Sequence, residues 1–298
     1  MSYRFTTGAE LIEICGEKNM TIAQVMLARE VEMSRRSEAE VLGQMRESLE
    51  VMKTAIQAGL HEGVKSVSGL IGGEAYKLSQ YASTHEPLSG RDMFQAMTNA
   101  MSVMEVNASM GRIVASPTAG SCGIVPGALV STGLRQGKTD DELVQALLTA
   151  AAVGFLFSRN ATVAGAEGGC QAETGTASAM ASAGIVEMMG GSPSAALSAA
   201  SFTIKNILGL VCDPIAGLVE CPCAKRNALG TANAILSADM ALAGLETAIP
   251  FDEVVEAMYR VGKVMSPTLR ETAMGGLAAT PTGIRIAERI FGVDNKRG

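Results

Sequence analysis

Apolar residues along this chain recur at three- and four-residue steps far more often than they alternate. From Thr21 to about Gly59, Val25, Met26, Val41, Met45, Leu49, Met52 and Ile56 keep that rhythm on a polar background. The pattern predicts one or two helices with an outer face toward solvent. Ser89 ahead of Met93, Phe94 and Met97, Thr139 with Glu142 three residues on, and Ser192 followed by Pro193 each mark a helix start before an apolar-periodic run. Met93, Met97, Met101 and Met104, at helical steps, read as core filling, because a flexible thioether fits irregular gaps. Alternating β-branched and aromatic runs are nearly absent, and aromatics make up only 4% of the chain. The predicted fold class is all-α: a multi-helix domain with a small-residue core and cysteine-bearing loops converging on one site.

Composition divides this helical chain in two. Residues 1–86 carry dense mixed charge, whereas 102–248 are rich in Ala, Gly, Ser and Thr. Glycine, at 33 of 298 residues, is well above the usual ~7% and lets helix backbones approach closely. No fixed-period repeat or Pro-rich linker interrupts the chain. A single domain over 1–298 is therefore expected, with a peripheral charged helical layer over 1–86 and a catalytic core over 87–298. Hydrophobic residues at 47% against charged residues at 18% exclude a disordered polyelectrolyte. With 24 basic and 30 acidic residues the net charge is −6, which gives no footprint for nucleic acid or an anionic membrane. The charge-free stretch between Arg112 and Arg135 is broken by Pro117, Gly120, Gly123, Pro126 and Gly127, so it reads as a loop and a buried helix rather than a membrane span. The segment Met1–Glu10 lacks the apolar core of a secretory signal, and a cytoplasmic protein is expected.

In a reducing compartment six cysteines are expected as thiols or metal ligands rather than disulfides. Cys170, Cys212, Cys221 and Cys223 stand at steps of 42, 9 and 2, and no C-x-x-C pair exists. That disfavours a zinc ribbon, a thioredoxin-type pair and the ferredoxin run. Spacing alone fits small buried hydrophobes equally well. The settings say more. Glu167-Gly168-Gly169-Cys170-Gln171 places two glycines before a thiol, so that backbone N–H groups can approach a sulfur. Cys212-Asp213-Pro214-Ile215-Ala216-Gly217 breaks a helical pattern with a turn signal. Pro222 separates Cys221 from Cys223, and Lys225-Arg226-Asn227 follows, bringing cations that favour thiolates. A further loop, Ala115 to Gly127, offers hydroxyls and backbone N–H groups suited to a small anion such as a carboxylate. It matches neither the Walker pattern nor a dinucleotide fingerprint.

Ser116–Gly127, Glu167–Thr174 and Cys212–Asn227 together resemble the α chain of the iron-sulfur-dependent L-serine dehydratases, and similarity of length and order covers nearly the whole sequence. The resemblance implies a [4Fe-4S] cluster on Cys170, Cys212 and Cys223, with one iron open as a Lewis acid for the β-hydroxyl of L-serine. Cys122, Cys221 and Cys15 are then spectators. The family usually carries an aliphatic residue at the Cys221 position, so the choice between Cys221 and Cys223 stays open here. Asn107, Thr118, Gly120, Ser121, Lys225 and Asn227 are the candidates for binding the substrate's carboxylate and amino group. The base is not legible, since His61 and His85 lie outside the cysteine core. Two-chain members pair this chain with a small β chain, which implies a hetero-oligomer and a second source of site residues. Three other readings remain: a lyase releasing sulfide from L-cysteine, a non-catalytic helical subunit holding a structural metal, and a pyridoxal enzyme using Lys225.

Overall fold

Side-chain caps set six of the α-helix starts. In the computed structural model, which describes residues 2–292, α1 (Gly8–Lys18), α2 (Ile22–Ser34) and α3 (Glu38–Ala58) each open with a capping box, from Thr7 with Glu10, Thr21 with Gln24 and Ser37 with Glu40. The long polar segment is thus two helices, broken where Arg35 turns left-handed. Helix α4 (Glu74–Thr84) follows, and α5 (Arg91–Ala108) starts one residue later than Ser89 suggests, with Gly90 rather than Ser89 at the cap. The hydroxyl loop then forms a 3₁₀ turn at Ala119–Ser121 and a π-helical turn at Pro126–Val130 that runs into α6 (Ser131–Arg135). Thr139 and Glu142 box the start of α7 (Asp140–Asn160). The remaining helices are α8 (Gly165–Gly168), α9 (Cys170–Met188), α10 (Pro193–Asn206, capped by Ser192), α11 (Cys223–Leu242), α12 (Phe251–Val264) and α13 (Pro281–Phe291). Among the described residues there is no strand; one isolated parallel bridge joins Cys212 to Arg270.

Helix α9 is the centre. Sixteen of its nineteen residues are buried, so small side chains face neighbours on every side, with α7, α10 and α11 packed around it. The glycines show why they are needed. A Cβ at Gly184 would sit 2.7 Å from the Ala146 carbonyl on α7, and one at Gly230 would sit 2.9 Å from Ser178 Oγ on α9. A Cβ at Gly123 would strike the Ala100 carbonyl on α5. The N-terminal helices join the same core: Phe5, Leu11, Ile22, Val25 and Leu49 are buried in the cluster that holds Leu129, Leu156 and Ile204. Helix α7 is long and apolar enough to cross a membrane by composition, yet most of it is buried inside the fold. Met101 and Met104 are buried as core filler, with Met93 and Met97 half-buried beside them.

Three carboxylates cap helices far away in sequence. Asp252 accepts from the amides of Gly8 (2.7 Å) and Ala9 (3.0 Å) at the start of α1. Glu187 accepts from Ile22 (2.7 Å) and Ala23 (3.0 Å) at the start of α2 and from Thr149 Oγ1 (2.5 Å). Glu105, fully buried, accepts from Gly73 (3.0 Å), Glu74 (2.7 Å) and Ala75 (3.1 Å) at the start of α4. Each neutralises orphan N–H groups and the positive end of a helix dipole.

Candidate active site

Three cysteine-bearing segments meet at one end of α9. Cys170 opens that helix directly after Gly169, whose φ of 75° is left-handed and suits only glycine. Gln171 fixes the junction: its buried Nε2 donates to the carbonyls of Gly168 (2.9 Å) and Met258 (3.0 Å), and its Oε1 accepts from the Gly209 amide (2.8 Å). Cys212 lies in the extended stretch after α10. Its amide donates to the Leu269 carbonyl (2.9 Å) and its carbonyl accepts from the Glu271 amide (2.7 Å), which brings residues 269–271 alongside. Cys223 is the first residue of α11, and Cys221 is only half-buried one turn earlier. Glu220 holds that turn in place, accepting from Ser66 Oγ and Ser68 Oγ at 2.6 Å each.

The electrostatics make these thiols a set. Burial pushes Cys170, Cys212 and Cys223 up from the ordinary thiol range, and proximity to Cys170 pushes Cys212 and Cys223 further. Arg226 and Thr174 act the other way on Cys170, with Thr174 Oγ1 3.0 Å from its sulfur. The Arg226 guanidinium is itself held by the Val211 carbonyl and by Asp213 Oδ1, both at 2.8 Å. The second Asp213 oxygen accepts from the Leu277 amide at 2.7 Å. Gly165 forms part of the cradle, since a Cβ there would fall 2.9 Å from Cys212 Sγ. Among the described residues, no three His, Cys, Asp or Glu side chains close to the spacing that one metal ion requires.

The hydroxyl loop borders this cradle through Glu173. That half-buried carboxylate accepts a very short hydrogen bond from Thr118 Oγ1 and lies flat against Gly120, where a Cβ would sit 2.5 Å from its Oε1. A Cβ at Gly165, beside Cys212, would sit 3.5 Å from its Oε2. Burial pushes Glu173 above the usual carboxylate range, the Thr118 bond and Arg226 oppose that, and nearby Glu271 adds to it. Ser121 Oγ lies 3.1 Å from Thr118 Oγ1, so Thr118, Gly120 and Ser121 are brought together as the sequence suggests.

Other candidates take different places. Asn227 is fully buried and committed: its Nδ2 donates to the carbonyls of Gly120 (2.8 Å) and Cys223 (2.9 Å), and its Oδ1 accepts from the Gly123 amide (2.9 Å). It ties the hydroxyl loop to the Cys223 helix instead of offering a free polar atom. Asn107 Nδ2 does the same at longer range, donating to the Ala119 carbonyl (3.3 Å). Lys225 faces outward in an ion pair with Glu74, with its side chain 55% exposed. His61 is exposed in the turn after α3, and His85 is exposed at the end of α4, stacked on Tyr81. Cys122 and Cys15 are buried, their thiols pushed up to about 12 and about 11 by desolvation. Glu173, Glu271 and Asp213 are the site residues that motif reading does not pick out. Glu173 carries one signal, as the lone charge in the apolar run from Cys170 to Val186 and three residues after a candidate ligand.

Residues 17–278 match the family described as serine dehydratase alpha chain. The chain is 51% identical to the probable L-serine dehydratase, alpha chain, of Bacillus subtilis, over 97% of this chain and 96% of that one. It is 46% identical to the L-serine dehydratase, alpha chain, of Peptoniphilus asaccharolyticus, over 94% of this chain and 96% of that one. L-serine dehydratase TdcG of Escherichia coli is 36% identical over 93% of this chain, which spans only 62% of that longer protein. Relatives of about this length and a longer one are thus represented, and the chain belongs to the serine dehydratase alpha-chain family.

Proposed function

We propose that this chain is the alpha subunit of an L-serine dehydratase that converts L-serine to pyruvate and ammonia, with a [4Fe-4S] cluster on Cys170, Cys212 and Cys223 and a separate β chain as partner. The observation that carries the reading is the convergence of three buried thiols, from three segments, in a glycine-lined cradle beside a hydroxyl loop. The donor set fits such a group. Three buried thiols that act on one another, with Arg226 and the Thr174 hydroxyl beside Cys170, are the residues that would hold such a group. When bound, a cluster with three protein ligands supplies an open iron as a Lewis acid for departure of the β-hydroxyl.

The chain's own residues do the rest. Arg226 offsets thiolate charge at Cys170, and Asp213 holds the guanidinium in place. The Ser121 hydroxyl and the backbone N–H groups of this loop receive the substrate carboxylate, an anion suited to O–H and N–H donors, beside Thr118, whose one hydroxyl hydrogen is already given to Glu173. Asn227 is a positioning residue, because it holds this loop against α11 with both ends of its amide engaged, and Asn107 ties the loop to α5 through Nδ2 alone. Loss of water across the Cα–Cβ bond and hydrolysis of the resulting imine give the products. On this reading the sequence divides into a charged N-terminal part, 1–86, whose helices pack onto the common core, and a catalytic part, 87–298, of one domain in a cytoplasmic hetero-oligomer.

The test is iron and acid-labile sulfide per chain in the anaerobically purified complex with the β chain, together with pyruvate release from L-serine. Roughly four of each is expected, lost in Cys170→Ser, Cys212→Ser and Cys223→Ser and kept in Cys221→Ser. Zinc in place of iron, or no turnover with full iron and sulfide, would overturn the reading. A far higher kcat/KM for L-cysteine than for L-serine would move it to a sulfide-releasing lyase.

A further inference from the structure

We propose that Glu173 is the anchor for the α-ammonium group of the substrate, and so the residue that selects an amino acid over the corresponding acid without nitrogen. This rests on the L-serine reading above.

The first ground is position. The Glu173 carboxylate spans the gap between the hydroxyl loop and the cysteine cradle, touching Thr118 and Gly120 on one side and facing Gly165 and Cys212 on the other. The missing side chain at Gly120 lets the carboxylate lie directly against the loop backbone, and the one at Gly165 lets Cys212 Sγ approach from the other side. A zwitterion held by its carboxylate at Ser121 and the loop's backbone N–H groups, with its β-carbon toward the cysteines, must place its nitrogen between the two. Glu173 occupies that interval.

The second ground is unused capacity. Glu105, Glu187 and Asp252 each accept two or three hydrogen bonds that include backbone amides. Among the described residues Glu173 accepts one, from a hydroxyl. An ionised carboxylate has about four acceptor positions, so several remain for a donor that arrives from outside.

The third ground is the balance of charge. Three thiols, Glu173 and Glu271 act on one another here, and Arg226, the cation among them, is already engaged by Asp213 and the Val211 carbonyl. Lys225, a neighbour in sequence, is turned away toward Glu74. This surplus of acceptors favours a small cation, and an ammonium with three donors satisfies a carboxylate best.

The test uses the cluster-loaded complex with the β chain, as wild type, Glu173→Gln and Glu173→Asp. Two small ligands separate the roles, each titrated by calorimetry so that no turnover is needed. L-alanine keeps the ammonium and carboxylate but has no leaving group, and 3-hydroxypropanoate keeps the hydroxyl and carboxylate but has no nitrogen. Glu173→Gln is expected to weaken L-alanine about 10- to 100-fold, the range for a charge-assisted hydrogen bond, and to raise KM for L-serine alike. Binding of 3-hydroxypropanoate should change less than about 3-fold, with iron and sulfide content unchanged. Glu173→Asp should recover part of the L-alanine affinity. Equal weakening of both ligands, unchanged L-alanine binding with a collapsed kcat, or loss of iron in both variants would overturn the proposal. A wild-type complex with full iron that fails to turn over L-serine would instead overturn the reading on which it rests.

Discussion

Glu105 and Glu173 are acids of one type set into helices of the same core, and their surroundings put them to opposite uses. Glu105 is fully enclosed, and burial raises its pKa while the amides of Ala75, Glu74 and Gly73 pull it back down. Its oxygens are filled by the start of α4, so its charge is spent on holding one helix against another. Glu173 is also raised by burial, but the group opposing that rise most is a single hydroxyl, with Arg226 adding to it. The difference teaches that burial of a carboxylate does not by itself mark a functional group. What separates the two is whether the fold has already supplied the donors.

Stability measurements sharpen that contrast. Glu105→Ala leaves three amides of α4 without an acceptor and is expected to cost about 3 kcal/mol or more in chemical denaturation. Glu173→Gln, measured on the cluster-free chain, should stay within about 1 kcal/mol of wild type, because the amide keeps an acceptor for Thr118. Equal losses from the two would erase the distinction. Glu187→Gln, which retains one acceptor for Ile22 or Ala23, should fall between them at about 2 kcal/mol. Thr139→Ala, which breaks an exposed capping box on α7, is expected to cost about 1 kcal/mol.

Acidity supplies the smallest and most directional test. Glu142 in that capping box is held down to about 2, chiefly by the Thr139 amide and then by Lys138. Its stabilisation is present above the ordinary value of 4.5 and is lost as pH falls through about 2. The stability gap between wild type and Glu142→Gln should therefore close on acidification. Glu173 has the opposite shift: its folded state resists ionisation, so its contribution is present below 4.5 and is lost as pH rises through the elevated value. On acidification the gap between wild type and Glu173→Gln should widen in favour of wild type. Parallel pH curves for the two pairs would show that the acids do not differ in this way.

The helical class and some helix starts are legible in the sequence because they rest on local chemistry. Thr139 with Glu142 and Ser192 with Pro193 act within four residues, and the structure places caps there. Cys170, Cys212, Cys221 and Cys223 are legible as belonging to one region because glycines and prolines mark their loops, and the choice of Cys170, Cys212 and Cys223 among them comes from the family resemblance. The fates of Lys225 and Asn227 are not, since they are decided by partners such as Glu74 and Gly120, 151 and 107 positions away. Glu173 hides in plain view: an acid in the first turn of a helix is the ordinary dipole-favouring choice. Glu271 reaches the cysteines only through the pairing of its segment with Cys212, a contact between distant segments with no local periodicity to announce it.

The close approach of α5, α7, α9 and α11 at Gly123, Gly184 and Gly230 has a thermodynamic consequence. Alanine and glycine surrender almost no side-chain rotamer entropy when they are buried, whereas methionine and leucine in the outer layer surrender more. Around the cysteines the ordering cost of folding therefore falls on the backbone. Few rotamers there can loosen one at a time with rising temperature. Heat must separate whole helices to disturb the cradle, so amide exchange in α9 should follow global unfolding rather than local fluctuation.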